Sequence, residues 1–198
     1  YDRDIFHDLM KFKVREILII SNLYDAYSLE REGKFSDYIL GVYYQLNLTS
    51  IPRITGVSSF EEAFEKLYSR HFDLIIIMVG VDRKTPMEIA SRLKSLYRYI
   101  PIYLLLNNNQ YVGYFQAEQR KTSLIDNVFV WNGDSRIFFA MVKQLEDFVN
   151  ADNDTRVGYS RIILLVEDSA KYYSRYIPVL YHCVMEQTRR IIEDVSTM

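Results

Sequence analysis

The stretch Asp73-Leu-Ile-Ile-Ile-Met-Val-Gly80, with Pro86 soon after it, decides the fold. Six consecutive apolar residues, rich in β-branched side chains and bounded by an acid and a glycine, leave neither side of a pleated strand for water. Such a run reads as a strand buried on both faces, the signature of a parallel sheet under two helical layers. Similar runs lie on either side of it. Arg15-Glu16 lead into Ile17-Leu-Ile-Ile20, and Arg53-Ile-Thr-Gly-Val57 is a shorter run. After Pro101 come Ile102-Tyr-Leu-Leu-Leu106, then Val128-Phe-Val-Trp131.

Helical patterns separate these runs. Residues 35–46 carry Phe35, Tyr38, Ile39, Val42, Tyr43 and Leu46 on one stripe, and Ser59 with Glu62 forms a capping box for residues 60–70. Pro86 suits the first turn of a helix over 86–97, whose buried face is Ile89, Leu93 and Leu96. A short helix around Phe115 and Ala117 fits before Lys121, and residues 135–149 present Ile137, Phe138, Met141, Val142, Leu145 and Phe148. Strand and helix alternate five times, which requires right-handed crossovers and a doubly wound parallel α/β sheet of flavodoxin-like type.

Three parts are expected: an amphipathic N-terminal helix within residues 1–13, built on Ile5, Phe6, Leu9 and Met10; the α/β unit over 14–150; and a strand-helix unit over 159–198. Residues 150–158, rich in Asp and Asn, read as the linker. In the last part Ile162-Ile-Leu-Leu-Val166 is a further buried strand. It either joins the first sheet or opens a second domain. The helix after it carries Ile177, Leu180, Tyr181, Val184, Ile191, Ile192 and Val195 on one side, and Pro178 should start or kink it.

Composition excludes several classes of function. The 198 residues are 49% hydrophobic and 25% charged with a net charge of -2, the profile of a folded, soluble protein without the basic excess that nucleic-acid binding needs. No apolar run reaches the ~18–20 residues of a membrane span. Cys183 is the sole cysteine, so no intrachain disulfide or multi-cysteine metal site forms, and a reduced cytoplasmic setting is expected. The seven glycines stand apart, so neither GxGxxG nor the P-loop pattern occurs. The chain opens on Tyr1, as a piece of something longer would.

In rhythm and order, residues 14–150 resemble the response-regulator receiver family. Asp73-Leu-Ile-Ile-Ile-Met78 followed by Pro86 resembles its third strand, Ile100-Pro-Ile-Tyr-Leu-Leu-Leu106 its fourth, and Ser59-Phe-Glu-Glu-Ala-Phe-Glu-Lys-Leu67 its second helix. The resemblance implies two acids after strand one to hold Mg²⁺, a phosphoacceptor Asp ending strand three, a hydroxyl ending strand four and a Lys ending strand five. This chain has Ser21 and Asn22 at the acids, Met78 at the acceptor, Leu106 at the hydroxyl and Trp131 at the lysine. A thioether cannot accept a phosphoryl group, so the resemblance implies a degenerate receiver: a regulatory module, not an enzyme. The opening stretch also resembles receiver-like modules at the N-terminus of bacterial proteins related to phosphoenolpyruvate synthase and pyruvate phosphate dikinase. It does so through residues 2–10, 21–27 and 41–48.

Ligands of open parallel sheets bind beyond the carboxyl ends of the strands. Asp25, Asp82, Asn107, Asn108 and Asn132 gather there as candidate ligand-binding residues, with turn-making as the competing role. Glu167-Asp168 resembles the acidic pair that opens a receiver and is a candidate metal pair, with helix capping by Asp168 or Ser169 as the alternative. No cofactor is expected. The 17 Tyr and 11 Phe exceed the easy needs of one small core and point to protein contacts: neighbouring domains of the same polypeptide, or a homodimer.

Overall fold

The computed structural model describes residues 9–21, 41 and 51–196. Five strands form one sheet: β1 (Glu16–Ile20), β2 (Arg53–Val57), β3 (Leu74–Val79), β4 (Ile102–Leu106) and β5 (Asn127–Val130). All neighbours are parallel and the order is β2-β1-β3-β4-β5. This is the flavodoxin-like order of a doubly wound α/β fold. Between and after the strands run α1 (Phe60–Ser69), α2 (Lys84–Leu96), α3 (Val112–Lys121), α4 (Arg136–Val157) and α5 (Ala170–Ser196).

The pleat divides the core in two. Leu18, Ile20, Ile75, Ile77 and Val79 face α1, α2 and α3, which supply Ala63, Leu67, Ala90, Leu93 and Phe115. Ile17, Ile19, Leu74, Ile76 and Met78 face α4, with Ile177 of α5 in the same cluster. Every residue of β3 is buried. Residues 137–142 of α4 are buried without interruption, since that helix is covered by the sheet and also by α5, where Phe139 meets Tyr181 edge to face.

Acids finish the lower edge of the sheet. The Asp73 carboxylate accepts the N–H groups of Arg15 and Glu16 (2.8 and 3.0 Å) at the start of β1. Asp126 accepts the N–H of Ile102 (2.7 Å) and the ammonium of Lys94 (2.8 Å) at the start of β4. Each sits just before a strand and supplies an acceptor to the first residues of its neighbour.

Several expectations require correction. The helix expected within 1–13 falls largely outside the described residues, and residues 9–13 are not helical. They form a strap along α4 instead. The N–H groups of Met10, Phe12 and Val14 donate to the side chains of Asp154 (3.0 Å), Asn150 (2.9 Å) and Glu146 (2.9 Å). Alternate residues of an extended chain advance about 6.5–7 Å and four helical residues about 6 Å, so the two repeats keep step. Residues 150–157 are therefore helical rather than a linker: the polar side chains that suggested a loop serve the strap. Gly158 closes the corner, where an added Cβ would stand 2.6 Å from Leu9 Cδ2.

The expected strand at 162–166 is absent, and this segment belongs to no sheet. The free edge of β5, where a sixth strand could add, is taken by α5: Val130 donates its N–H to Ser174 Oγ (2.9 Å), and that hydroxyl donates to Ala170 O (2.6 Å). The helix itself forms, with Pro178 inside it rather than at its start. Its seated face includes Ala170, Ser174 and Ile177, while Val184 and Ile191 are exposed. Leu96 and Phe148, expected in the core, are exposed as well; Ala90 takes the central place on α2. The stripe at 35–46 lies outside the described residues, apart from Gly41, which is helical.

Asn150 is 3% exposed, and besides accepting from Phe12 N–H it donates to Phe12 O (2.7 Å) and Glu146 O (2.8 Å). Asn150→Leu keeps the volume but leaves both polar groups of Phe12 unpaired. The expected loss is about 2–4 kcal/mol of unfolding free energy, read from urea titration of the two proteins.

Candidate functional site

The carboxyl ends of β1, β2 and β3 open on a cavity of about 370 Å³ between the N-termini of α1 and α2. In a sheet of this order the strand direction of travel reverses between β1 and β3, where ligands of doubly wound folds bind. Ile20 and Ile77 give the cavity an apolar floor, and Ser21, Ser58 and Ser59 line it as well. Arg92 stands at its wall with its guanidinium 5.1 Å from the Phe60 ring centroid.

Local sequence explains the two helix starts. Ser59 Oγ accepts the N–H of Glu62 (3.2 Å), as the capping box requires. The reciprocal bond is displaced by one residue: the Glu62 carboxylate takes the N–H of Ser58 (2.8 Å) and its hydroxyl (3.1 Å), and these bonds hold its carboxyl below the usual range. At α2 the Asp82 carboxylate accepts from Lys84 N–H (2.9 Å) and Thr85 N–H (3.1 Å). Hydrogen bonds from Thr85 and Lys84 lower its pKa.

The candidate residues named from sequence disperse along this edge. Ser21 follows β1, is 7% exposed and donates its N–H to Val57 O (3.0 Å). Its hydroxyl has no hydrogen-bond partner among the described residues and lines the cavity. Asn22 and Asp25 lie outside the described residues. Met78 is buried against the α4 side of the sheet, and Leu106 against the opposite side. Trp131 donates its N–H to Leu106 O (2.8 Å) and stacks its ring on Phe138 at 5.2 Å.

Asn107 continues the β3-β4 ladder by donating to Val79 O (3.1 Å). Asn108 Oδ1 accepts from Gln110 N–H (2.9 Å) and Asn132 Oδ1 from Asp134 N–H (3.1 Å), so both side chains close turns. Asp134 in turn holds the Arg136 guanidinium (2.8 Å), which lowers the pKa of its carboxyl. Glu167 and Asp168 sit at the start of α5. Glu167 accepts the N–H of Ser169 (2.9 Å), and Asp168 O accepts from Gln116 Nε2 (2.7 Å). No group of three or more His, Cys, Asp or Glu side chains comes together as a metal site among the described residues.

The arrangement can hold a small molecule by hydroxyls and one guanidinium. Among the described residues no histidine reaches it: His71 lies by Asp73 at the far edge of the sheet, and His182 is on α5. Sequence reading found Ser21, Met78 and Asp82, but missed Ser58 and Arg92. Arg92 is an exposed arginine of α2 with no motif around it in the sequence, and only the fold brings it over Phe60.

Neither a family model nor a curated protein sequence matches this chain. Solved structures similar to it include the response regulator protein TrrA of Thermotoga maritima, at 18% identity over 66% of this chain and 98% of that one, with a TM-score of 0.45. The chemotaxis response regulator CheY4 of Vibrio cholerae is 15% identical over 67% and 99% of the two chains, with a TM-score of 0.49. The signal receiver domain of an HD domain-containing protein from Pseudomonas fluorescens is 15% identical over 71% and 99%, with a TM-score of 0.47. The fold assignment rests on strand order and direction, not on these likenesses.

Asp82→Ala removes two bonds to α2 and is expected to lower stability by about 0.5–1 kcal/mol. Because folding depresses the Asp82 pKa, its contribution is present at neutral pH and disappears as pH falls through the folded value. Urea titrations should show a gap between wild type and variant at pH 7 that closes in acid.

Proposed function

We propose that this chain is a non-catalytic regulatory and interaction module on a receiver-like scaffold, acting in the cytoplasm as part of a larger signalling or metabolic protein. The observation that carries this reading is the carboxyl end of β3. Met78 is buried in the α4-side core, Val79 and Gly80 follow, and the next acid, Asp82, is bound to the N-terminus of α2. Trp131, at the end of β5, offers a ring stacked on Phe138 in place of an ammonium. Phosphoryl transfer to a carboxylate needs an acceptor and cations placed to neutralise the transferring group. Here those places hold a thioether and an indole.

On this reading residues 14–150 are the pseudo-receiver, and 159–198 an extension whose helix docks on its β5 edge. The resemblance of residues 2–10, 21–27 and 41–48 supports a place at the regulatory end of a phosphoenolpyruvate- or pyruvate-using phosphotransferase. The cavity beside Ser21 favours a second reading, a small-ligand sensor.

Incubation with acetyl phosphate and Mg²⁺ is expected to leave the intact mass unchanged. An added phosphoryl group that hydroxylamine removes, the behaviour of an acyl phosphate, would refute the pseudo-receiver reading.

A further inference from the structure

The segment Arg161-Ile-Ile-Leu-Leu-Val-Glu167 has the composition of a strand and, among the described residues, no strand paired with it. Ile162, Ile163, Leu164 and Val166 are 65, 63, 81 and 82% exposed. Residues 162–166 make no backbone hydrogen bond among the described residues. The segment is nevertheless held in place. Leu165 packs on the α4-side core, the Glu167 carboxylate binds Ser169 N–H, and Asp168 O is gripped by Gln116. An apolar, β-branched run with open backbone donors and acceptors, anchored at one end, is a template for another strand.

Its own sequence states which strand fits. Pairing antiparallel with an identical segment about a twofold axis through Leu164 sets Arg161 opposite Glu167 twice, Ile162 opposite Val166, Ile163 opposite Leu165 and Leu164 opposite itself. Both ends are then closed by opposite charges and every interior pair is apolar. A parallel, in-register pairing would instead set Arg161 against Arg161. The β5 edge of the first sheet offers no alternative, because α5 occupies it through Ser174. We propose that residues 161–167 form a homodimerisation strand, pairing antiparallel with the same segment of a second copy. An isologous contact of this kind joins two copies about one twofold axis.

Sedimentation velocity of the whole chain across a micromolar concentration series tests this. The expected result is a reversible monomer-dimer equilibrium. Leu164→Lys places two ammonium groups face to face and should abolish the dimer. Arg161→Glu should weaken it about tenfold, since the twofold axis applies each like-charge clash twice. Arg161→Glu with Glu167→Arg should restore it. These residues face solvent or a helix start, and far-UV circular dichroism confirms that each variant keeps its helices. A chain that stays monomeric, a dimer indifferent to Leu164→Lys, a charge swap that fails to restore association or growth into open-ended aggregates would each overturn the proposal. Monomeric behaviour would leave a strand of different sequence as the occupant.

Discussion

Strand β3 has no polar side chain on either face, and it occupies the middle of the sheet. A strand of this kind cannot exist with one side wet, so the chain must supply a helical layer above and another below. On one side α1, α2 and α3 meet that demand in the ordinary succession of β/α units. On the other, among the described residues, α4 lies against the sheet and α5 lies against α4 and β5. That second layer explains why residues 137–142 of α4 are apolar and buried without interruption. It also explains why a serine, rather than another strand, receives the last N–H of β5.

How much of this could be read from the sequence depends on whether the deciding interaction is local. The five strands and the order of helices follow from short apolar runs and 3.6-residue stripes, so Leu74–Val79 and Ile102–Leu106 match their expected bounds. Residues 162–166 carry the same local signal as β3, yet a strand also needs a neighbour, and the nearest edge is covered. The error at 150–158 has the opposite character. Asn150 and Asp154 look like loop residues when read alone, but they are acceptors for N–H groups more than a hundred positions earlier in the chain. A single-sequence reading sees polarity there and cannot see the strap that uses it.

The candidate site shows the same division. That Met78 and Trp131 stand where a receiver carries an acid and a lysine is visible from alignment of strands. What the side chains do in exchange is not. Met78 and Trp131 add packing, while Asp73, Asp82, Asp126 and Asp134 are spent on strand starts, a helix start and a neighbouring guanidinium. Acids are present in number near both edges of the sheet, but each of these four already has donors. The cavity at the β1-β3 switch, with its serine hydroxyls and Arg92, is assembled from residues of three different β/α units and has no linear signature.

The strap has a consequence for the order in which the fold can close. Its three bonds join residues 10–14 to α4 across 132 to 144 positions of sequence, a loop that contains all five strands. Closing so long a loop costs more entropy than any contact between neighbouring β/α units, so the strap locks a sheet already assembled rather than nucleating one.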